Sequence, residues 1–97
     1  MKRDEALRIL IAQRPNLDQF GVKDLWLFGS VARDEAGPDS DVDVLVEFRQ
    51  SVSLFDLFRL QHYLEETLGV PKVDLVIRGS VRQALRERVL AEAIHAA

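Results

Sequence analysis

Two aspartates separated by one valine, Asp41-Val42-Asp43, open a run in which Val42, Val44, Val46 and Phe48 alternate with other residues. If the run is a strand, its side chains alternate between two faces, and both carboxylates share the face opposite the valines. Like charges held side by side raise each other's pKa, so two unpaired aspartates there invite a cation. Hard carboxylate oxygens suit Mg²⁺, which is often held through one or two carboxylates together with substrate phosphates. Upstream, Gly29-Ser30 ends the short apolar run Asp24-Leu25-Trp26-Leu27-Phe28 and precedes a helical pattern. Glycine lets the backbone approach a ligand, and a serine hydroxyl beside free helix N–H groups makes a phosphate cradle. A third carboxylate, Asp74, lies in Val73-Asp74-Leu75-Val76-Ile77. Three carboxylates and a phosphate cradle are what two-metal phosphoryl or nucleotidyl transfer requires.

For these groups to meet, Gly29-Ser30 at the end of one strand must face Asp41 and Asp43 at the start of the next. Those two strands must therefore be antiparallel. Between Asp43 and Asp74 lies the long amphipathic segment Ser53 to Leu68, and a right-handed helical crossover would make the strands it joins parallel. Ser53 and Asp56 have capping-box spacing, and Gly69 suits the residue after the helix. Leu54, Leu57, Phe58, Leu60, Leu64 and Leu68 form a broad apolar face, mainly for the core and wide enough for an oligomer contact. Leu7, Leu10 and Ile11 predict a first helix over Asp4 to Arg14, stopped by Pro15. Asn16 to Gly21 reads as a turn or short extra helix. Val31 to Ala36 predicts a short helix with Ser30 as N-cap, and Ser80 caps a last helix carrying Val81, Leu85, Val89 and Ala93. The expected architecture is α/β: two layers, in the order α-β-α-β-α-β-α, on a small mixed three-stranded sheet.

The 97 residues suffice for one domain spanning 1–97, and 47% hydrophobic with 30% charged residues is an ordinary globular composition. Cysteine is absent, which removes disulfides and thiolate metal sites. No apolar run has membrane-spanning length, so a cytoplasmic protein is expected. Net charge is −3, with the acidic excess concentrated between Asp34 and Asp43. No strongly basic face is evident, which argues against a dedicated nucleic-acid binder.

Simpler readings exist for each residue. Asp41, Asp43 and Asp74 could be solvent-facing strand positions, and Arg33 could pair with Asp34 or Glu35. Arg86 and Arg88 could reach a nucleotide, but Arg88 with Glu92 equally makes a surface pair. His62 and His95 lack metal-ligand spacing to any partner; the first reads as helix surface and the second as a frayed terminus. Trp26 reads as core.

Gly29-Ser30, ten intervening residues and Asp41-Val42-Asp43 resemble the GS-x10-DxD signature of the DNA polymerase β-like nucleotidyltransferase superfamily. Ala32-Arg33 after the turn, Ser40 before the first aspartate and the later Val-Asp-Leu-Val resemble its minimal nucleotidyltransferase (MNT) branch. The resemblance covers Leu25 to Ile77. Asp34 departs from it, since relatives often have glycine there. What the resemblance implies is a Mg²⁺-dependent transfer of AMP from ATP, through two ions, to an acceptor hydroxyl. Asp41 and Asp43 would hold the ions, with Asp43 bridging them, and Asp74 would complete the second site and help deprotonate the acceptor. Gly29 and Ser30 would bind the β- and γ-phosphates, with Arg33 and Ser40 also on the nucleotide side. Larger relatives carry an acceptor-binding domain, whereas here the palm uses almost the whole chain. The MNT branch is commonly encoded beside a HEPN-domain toxin, which implies an antitoxin acting on a tyrosine of that partner. A non-catalytic binding antitoxin and a small-molecule nucleotidyltransferase of the antibiotic-modifying kind stand as alternatives.

Overall fold

The computed structural model describes residues 1–37, 40–80 and 83–97, with the side chains at 80, 83–86 and 88 outside the description. Helix α1 (Arg3–Ala12) buries Ala6 and Leu10 and stops at Gln13. Helix α2 (Arg14–Gln19) starts at once, with Pro15 in its first turn, where a missing N–H breaks no helical bond. The first helix is thus shorter than Asp4 to Arg14, and Arg14 belongs to the second. The Arg14 guanidinium grips Asp18 at 2.7 Å and the Val22 carbonyl at 2.5 Å, tying α2 to the strand that follows.

Strand β1 (Val22–Phe28) leads into the one-turn helix α3 (Gly29–Ala32), and β2 (Val42–Phe48) follows. Helix α4 (Leu54–Leu68), β3 (Val73–Ile77), a 3-10 turn (Arg78–Ser80), α5 (Gln83–Glu92) and β4 (Ile94–His95) complete the chain. The sheet order is β3-β2-β1-β4, with β1 antiparallel to β2 and β4, and β2 parallel to β3. The two strand relations demanded by the carboxylates are therefore present. The sheet has four strands rather than three. Two residues are too short a run for alternation to reveal, and β4 exists because the tail finds β1 as a partner. Leu25 N–H donates to the Ala97 carbonyl (2.9 Å), and Ala96 N–H donates to the Leu25 carbonyl (2.8 Å). His95 is accordingly a paired strand residue and not a frayed end.

The two sheet faces differ sharply. Val22, Leu25, Leu27, Val42, Val44, Val46 and Val73 are fully buried and form one core with Leu10, Leu17, Leu60 and Leu64. The opposite face carries Trp26, Asp43, Glu47, Asp74 and Arg78, all half-exposed, around a buried Leu45. Trp26 is thus outside the core expected for it; Arg78 stacks its guanidinium 5.1 Å from the indole centroid. A bulge at Lys23, between the pairs Val22↔Phe48 and Asp24↔Glu47, hides the start of β1 from sequence periodicity. In α4 the capping box of Ser53 and Asp56 forms as expected, and Gly69 closes the helix at φ +68°. Its core stripe is narrower than its apolar sequence: Leu54, Phe55 and Phe58 remain 64%, 79% and 48% exposed. His62 lies on the helix surface. Among the described residues no helix is long and apolar enough to cross a membrane. Val81, and the side chains of Ser80 and Leu85, lie outside the description.

Helix α3 ends earlier than Ala36 because Asp34 turns left-handed (φ +59°). Phe28 is its N-cap, and Ser30, expected in that role, makes no side-chain cap bond. The Asp34 carboxylate accepts a hydrogen bond from Arg3 N–H (3.1 Å), capping α1, whose own N-cap Lys2 supplies no side-chain bond. A carboxylate is favoured at that positive helix end, and Asp34 supplies it. Replacing Asp34 by Ala keeps the left-handed strain and loses the cap, while Gly loses only the cap. Urea denaturation should show Asp34→Ala destabilised by about 1–2 kcal/mol and Asp34→Gly by distinctly less. Equal losses would show that the backbone conformation carries no cost there.

Candidate active site

The register of the sheet gathers the acidic residues. Asp43 pairs with Phe28 on β1 and with Asp74 on β3, so the chain turning at Gly29 passes directly over the Asp43 carboxylate. Gly29 has φ +74°, which side chains rarely adopt. A Cβ there would overlap Asp43 Oδ2 and lie 3.0 Å from Asp43 Cγ. Glycine is needed twice at this position, for its backbone angle and for the carboxylate under it. The Ser30 hydroxyl, next along, has no hydrogen-bond partner among the described residues.

Asp41 and Asp74 are each 41% exposed at the side chain. Burial, together with the nearby Asp74 and Asp41 charges, pushes the Asp43 carboxyl up to about 6. Three carboxylates therefore crowd one patch of the open face, and the crowding tells on Asp43. The only cation that reaches them within salt-bridge distance, among the described residues, is Lys72, 3.4 Å from Asp74 and 3.8 Å from Asp41. Sequence reasoning missed Lys72, although its place two residues before Asp74 puts it on the same strand face. Among the described residues no three acidic or histidine side chains already converge closely enough to hold a metal ion. What the backbone supplies is a shared face and mutual repulsion, and oxygen donors in that condition fit a hard divalent ion.

The remaining expected residues sit around this patch in different ways. Arg33 follows α3 and pairs with Glu35 (3.1 Å) and with Glu92 at the end of α5 (3.0 Å). Its charge nonetheless acts on Asp43, opposing the upward shift. Ser40 spends its hydroxyl inside the loop, accepting from Gly37 N–H at 2.9 Å. Arg86 and Arg88 lie outside the described side chains. A cavity of about 700 Å³ lies at the other end of the sheet, between Glu47, Phe48, Val52, Ile77, Arg78 and Gly79, and does not include the carboxylates. The acidic patch lies open at the surface.

A small mixed sheet with helices on one face, and carboxylates from neighbouring strands beneath a Gly-Ser turn, defines a nucleotidyltransferase. The nucleotidyltransferase-domain family matches residues 9–95. The chain is 41% identical over 93 residues to the protein adenylyltransferase MntA of Thermococcus cleftensis, covering 95% of this chain and 93% of that one. It is 46% identical over 80 residues to a provisionally assigned protein adenylyltransferase of Methanocaldococcus jannaschii, MJ0435, covering 82% and 85%. A solved structure provisionally described as a minimal nucleotidyltransferase superposes with a TM-score of 0.83 at 40% identity, covering 97% and 95%. A complex of a tri-AMPylated Shewanella oneidensis HEPN toxin with an MNT antitoxin shares the fold, with a TM-score of 0.67 at 19% identity over 94% and 71%. The chain belongs to the nucleotidyltransferase-domain family, in its minimal branch, and is a nucleotidyltransferase.

Two glycines with the same backbone sign separate strain from site geometry. Nothing lies within 4 Å of a Cβ on Gly69, whereas Gly29 is blocked by Asp43. Gly69→Ala should cost about 1 kcal/mol and Gly29→Ala about 2–4 kcal/mol in chemical denaturation. Similar losses for the two would remove the Asp43 contact from the account. Asp43→Asn should stabilise the metal-free protein at pH 7, raising Tm by roughly 5 °C. The raised carboxyl carries its penalty when ionised, so the gain should shrink as pH falls through about 6 and vanish near the ordinary carboxylate range. A gain that persists at pH 4 would point to a cause other than charge crowding.

Proposed function

We propose that this chain transfers AMP from ATP to a hydroxyl, most simply a tyrosine, of a HEPN-type partner protein and thereby neutralises it. The observation that carries the reading is the Asp43↔Asp74 register beneath Gly29, in a chain 41% identical to a named protein adenylyltransferase. In this reading residues 1–97 act as one catalytic unit. Asp41, Asp43 and Asp74 would hold two Mg²⁺ ions, which would supply Lewis-acid stabilisation of phosphate charge. Asp74 accepts the proton of the acceptor hydroxyl. That oxygen bonds to the α-phosphorus as the α–β phosphoanhydride bond breaks and pyrophosphate leaves. Gly29 and Ser30 bind the β- and γ-phosphates through the turn backbone and the unengaged hydroxyl. Arg33 neutralises triphosphate charge after giving up one of its two carboxylates. Ser40 supports the nucleotide side by shaping the loop that leads to Asp41.

Support for the acceptor class comes from solved toxin–antitoxin complexes of the same fold, one holding AMP-PNP (TM-score 0.71) and one an AMPylated HEPN toxin. A binding antitoxin without catalysis would not need three mutually repelling carboxylates, and their retention favours the enzyme.

Intact-mass spectrometry of the chain with Mg²⁺, each NTP in turn and its HEPN-type partner tests the proposal. An AMP increment should appear on the partner with ATP and be absent with Asp41→Asn/Asp43→Asn. A stable complex that never gains a nucleotide, with neutralisation kept in the double variant, would make the chain a binding antitoxin instead.

A further inference from the structure

Lys72 stands among the acidic residues for a reason set by the ladder. Val42 pairs with Val73 and Asp43 with Asp74, so Asp41 and Lys72 are neighbours one step earlier in the same parallel register. Val42 N–H donates to the Lys72 carbonyl (3.2 Å), which fixes the base of that side chain. Lys72 and Asp74 are two apart on the strand and share its face. The ammonium then lies 3.4 Å from Asp74 Oδ1 and 3.8 Å from Asp41 Oδ2, serving carboxylates from two strands at once. An ordinary exposed ion pair contributes little, because water and salt screen it and both side chains lose freedom. This one differs in where it lies, against two members of a crowded acidic set that no other described cation approaches within salt-bridge distance.

We propose that Lys72 is a built-in stand-in for the divalent cation: it holds Asp41 and Asp74 turned toward one another in the metal-free protein and is displaced when the cation binds. The inference rests on the reading of the three aspartates as the cation site. One ammonium offsets one negative charge, whereas a divalent ion offsets two and binds the oxygens directly. The ion therefore wins, but it must expel the ammonium to do so. Lys72 thus keeps the empty site from repelling itself apart and lowers the apparent affinity for the cation. With its side chain 57% exposed and joined to the strand by a flexible four-carbon stem, Lys72 can swing into solvent without moving the sheet.

Mn²⁺ titration by electron paramagnetic resonance, with Tm measured in parallel, tests this on the full chain as wild type, Lys72→Met, Lys72→Gln, Lys72→Arg and Asp43→Asn. Loss of the ammonium should tighten Mn²⁺ binding about tenfold in the Met and Gln variants, the scale set by removing a unit charge a few ångströms from a divalent ion in water. Their metal-free Tm should fall and saturating Mn²⁺ should restore it, while Lys72→Arg should stay near wild type in both. Unchanged or weaker Mn²⁺ binding in Lys72→Met and Lys72→Gln would overturn the role of Lys72 while leaving the cation site intact. Wild type binding Mn²⁺ no better than Asp43→Asn would overturn the cation site itself, and this inference with it.

Discussion

Asp43 and Asp74 face each other across the parallel ladder of β2 and β3, and neither strand can shift to part them. A slip of one residue would carry Val42, Val44 and Val46 onto the open face and their neighbours into the core. The burial of those valines thus holds two like charges together. Hydrophobic packing on one side of the sheet maintains an electrostatic conflict on the other. In the proposed reading that arrangement suits a divalent cation, because oxygens that had relaxed apart or paired with arginines would have less to gain from binding an ion.

The segment above the conflict is built to come close to it. Gly29 sits over Asp43 without a side chain, α3 lasts a single turn, and Asp34 turns the chain away and anchors on the first N–H of α1. Arg33, between these two anchored points, ties the turn to the end of α5 through Glu92. In the proposed reaction, nucleotide charge at Gly29-Ser30 would meet a guanidinium already held nearby by Glu35 and Glu92. The resulting order is a paired set of strands beneath a short tethered turn.

Away from the carboxylates the open face changes character. Leu45 is buried under its neighbours, Arg78 stacks on Trp26 and pairs with Glu47 at 2.7 Å, and His95 meets Asp24 at 2.9 Å. These contacts settle the face without closing it over. The apolar N-terminal part of α4 is likewise left uncovered, while Leu60, Leu64 and Leu68 of its later turns are buried. The face bearing Asp43 and Asp74 is thus left half-exposed.

Much of this was legible in the linear sequence. Alternation marked β2, the apolar run after Pro71 marked β3, the Gly29-Ser30 and Asp41-Val42-Asp43 spacing marked the candidate chemistry, and Ser53 with Asp56 and Gly69 marked both ends of α4. These are local devices, each readable within a few residues because it follows from backbone geometry. Other features depended on partners distant in the chain. The strand of Ile94 and His95 exists through β1, the bulge at Lys23 through its pairing with β2, and the cap of α1 through Asp34, 31 positions away. Trp26 left the core and Leu54 and Phe58 stayed in water because apolar character does not say which face a neighbour will cover. Sequence alone determined which groups could do the chemistry. Only tertiary structure decided which of them repel, which are already paired, and that Lys72 stands between two of the carboxylates, because distances between strands are set by register and not by residue type.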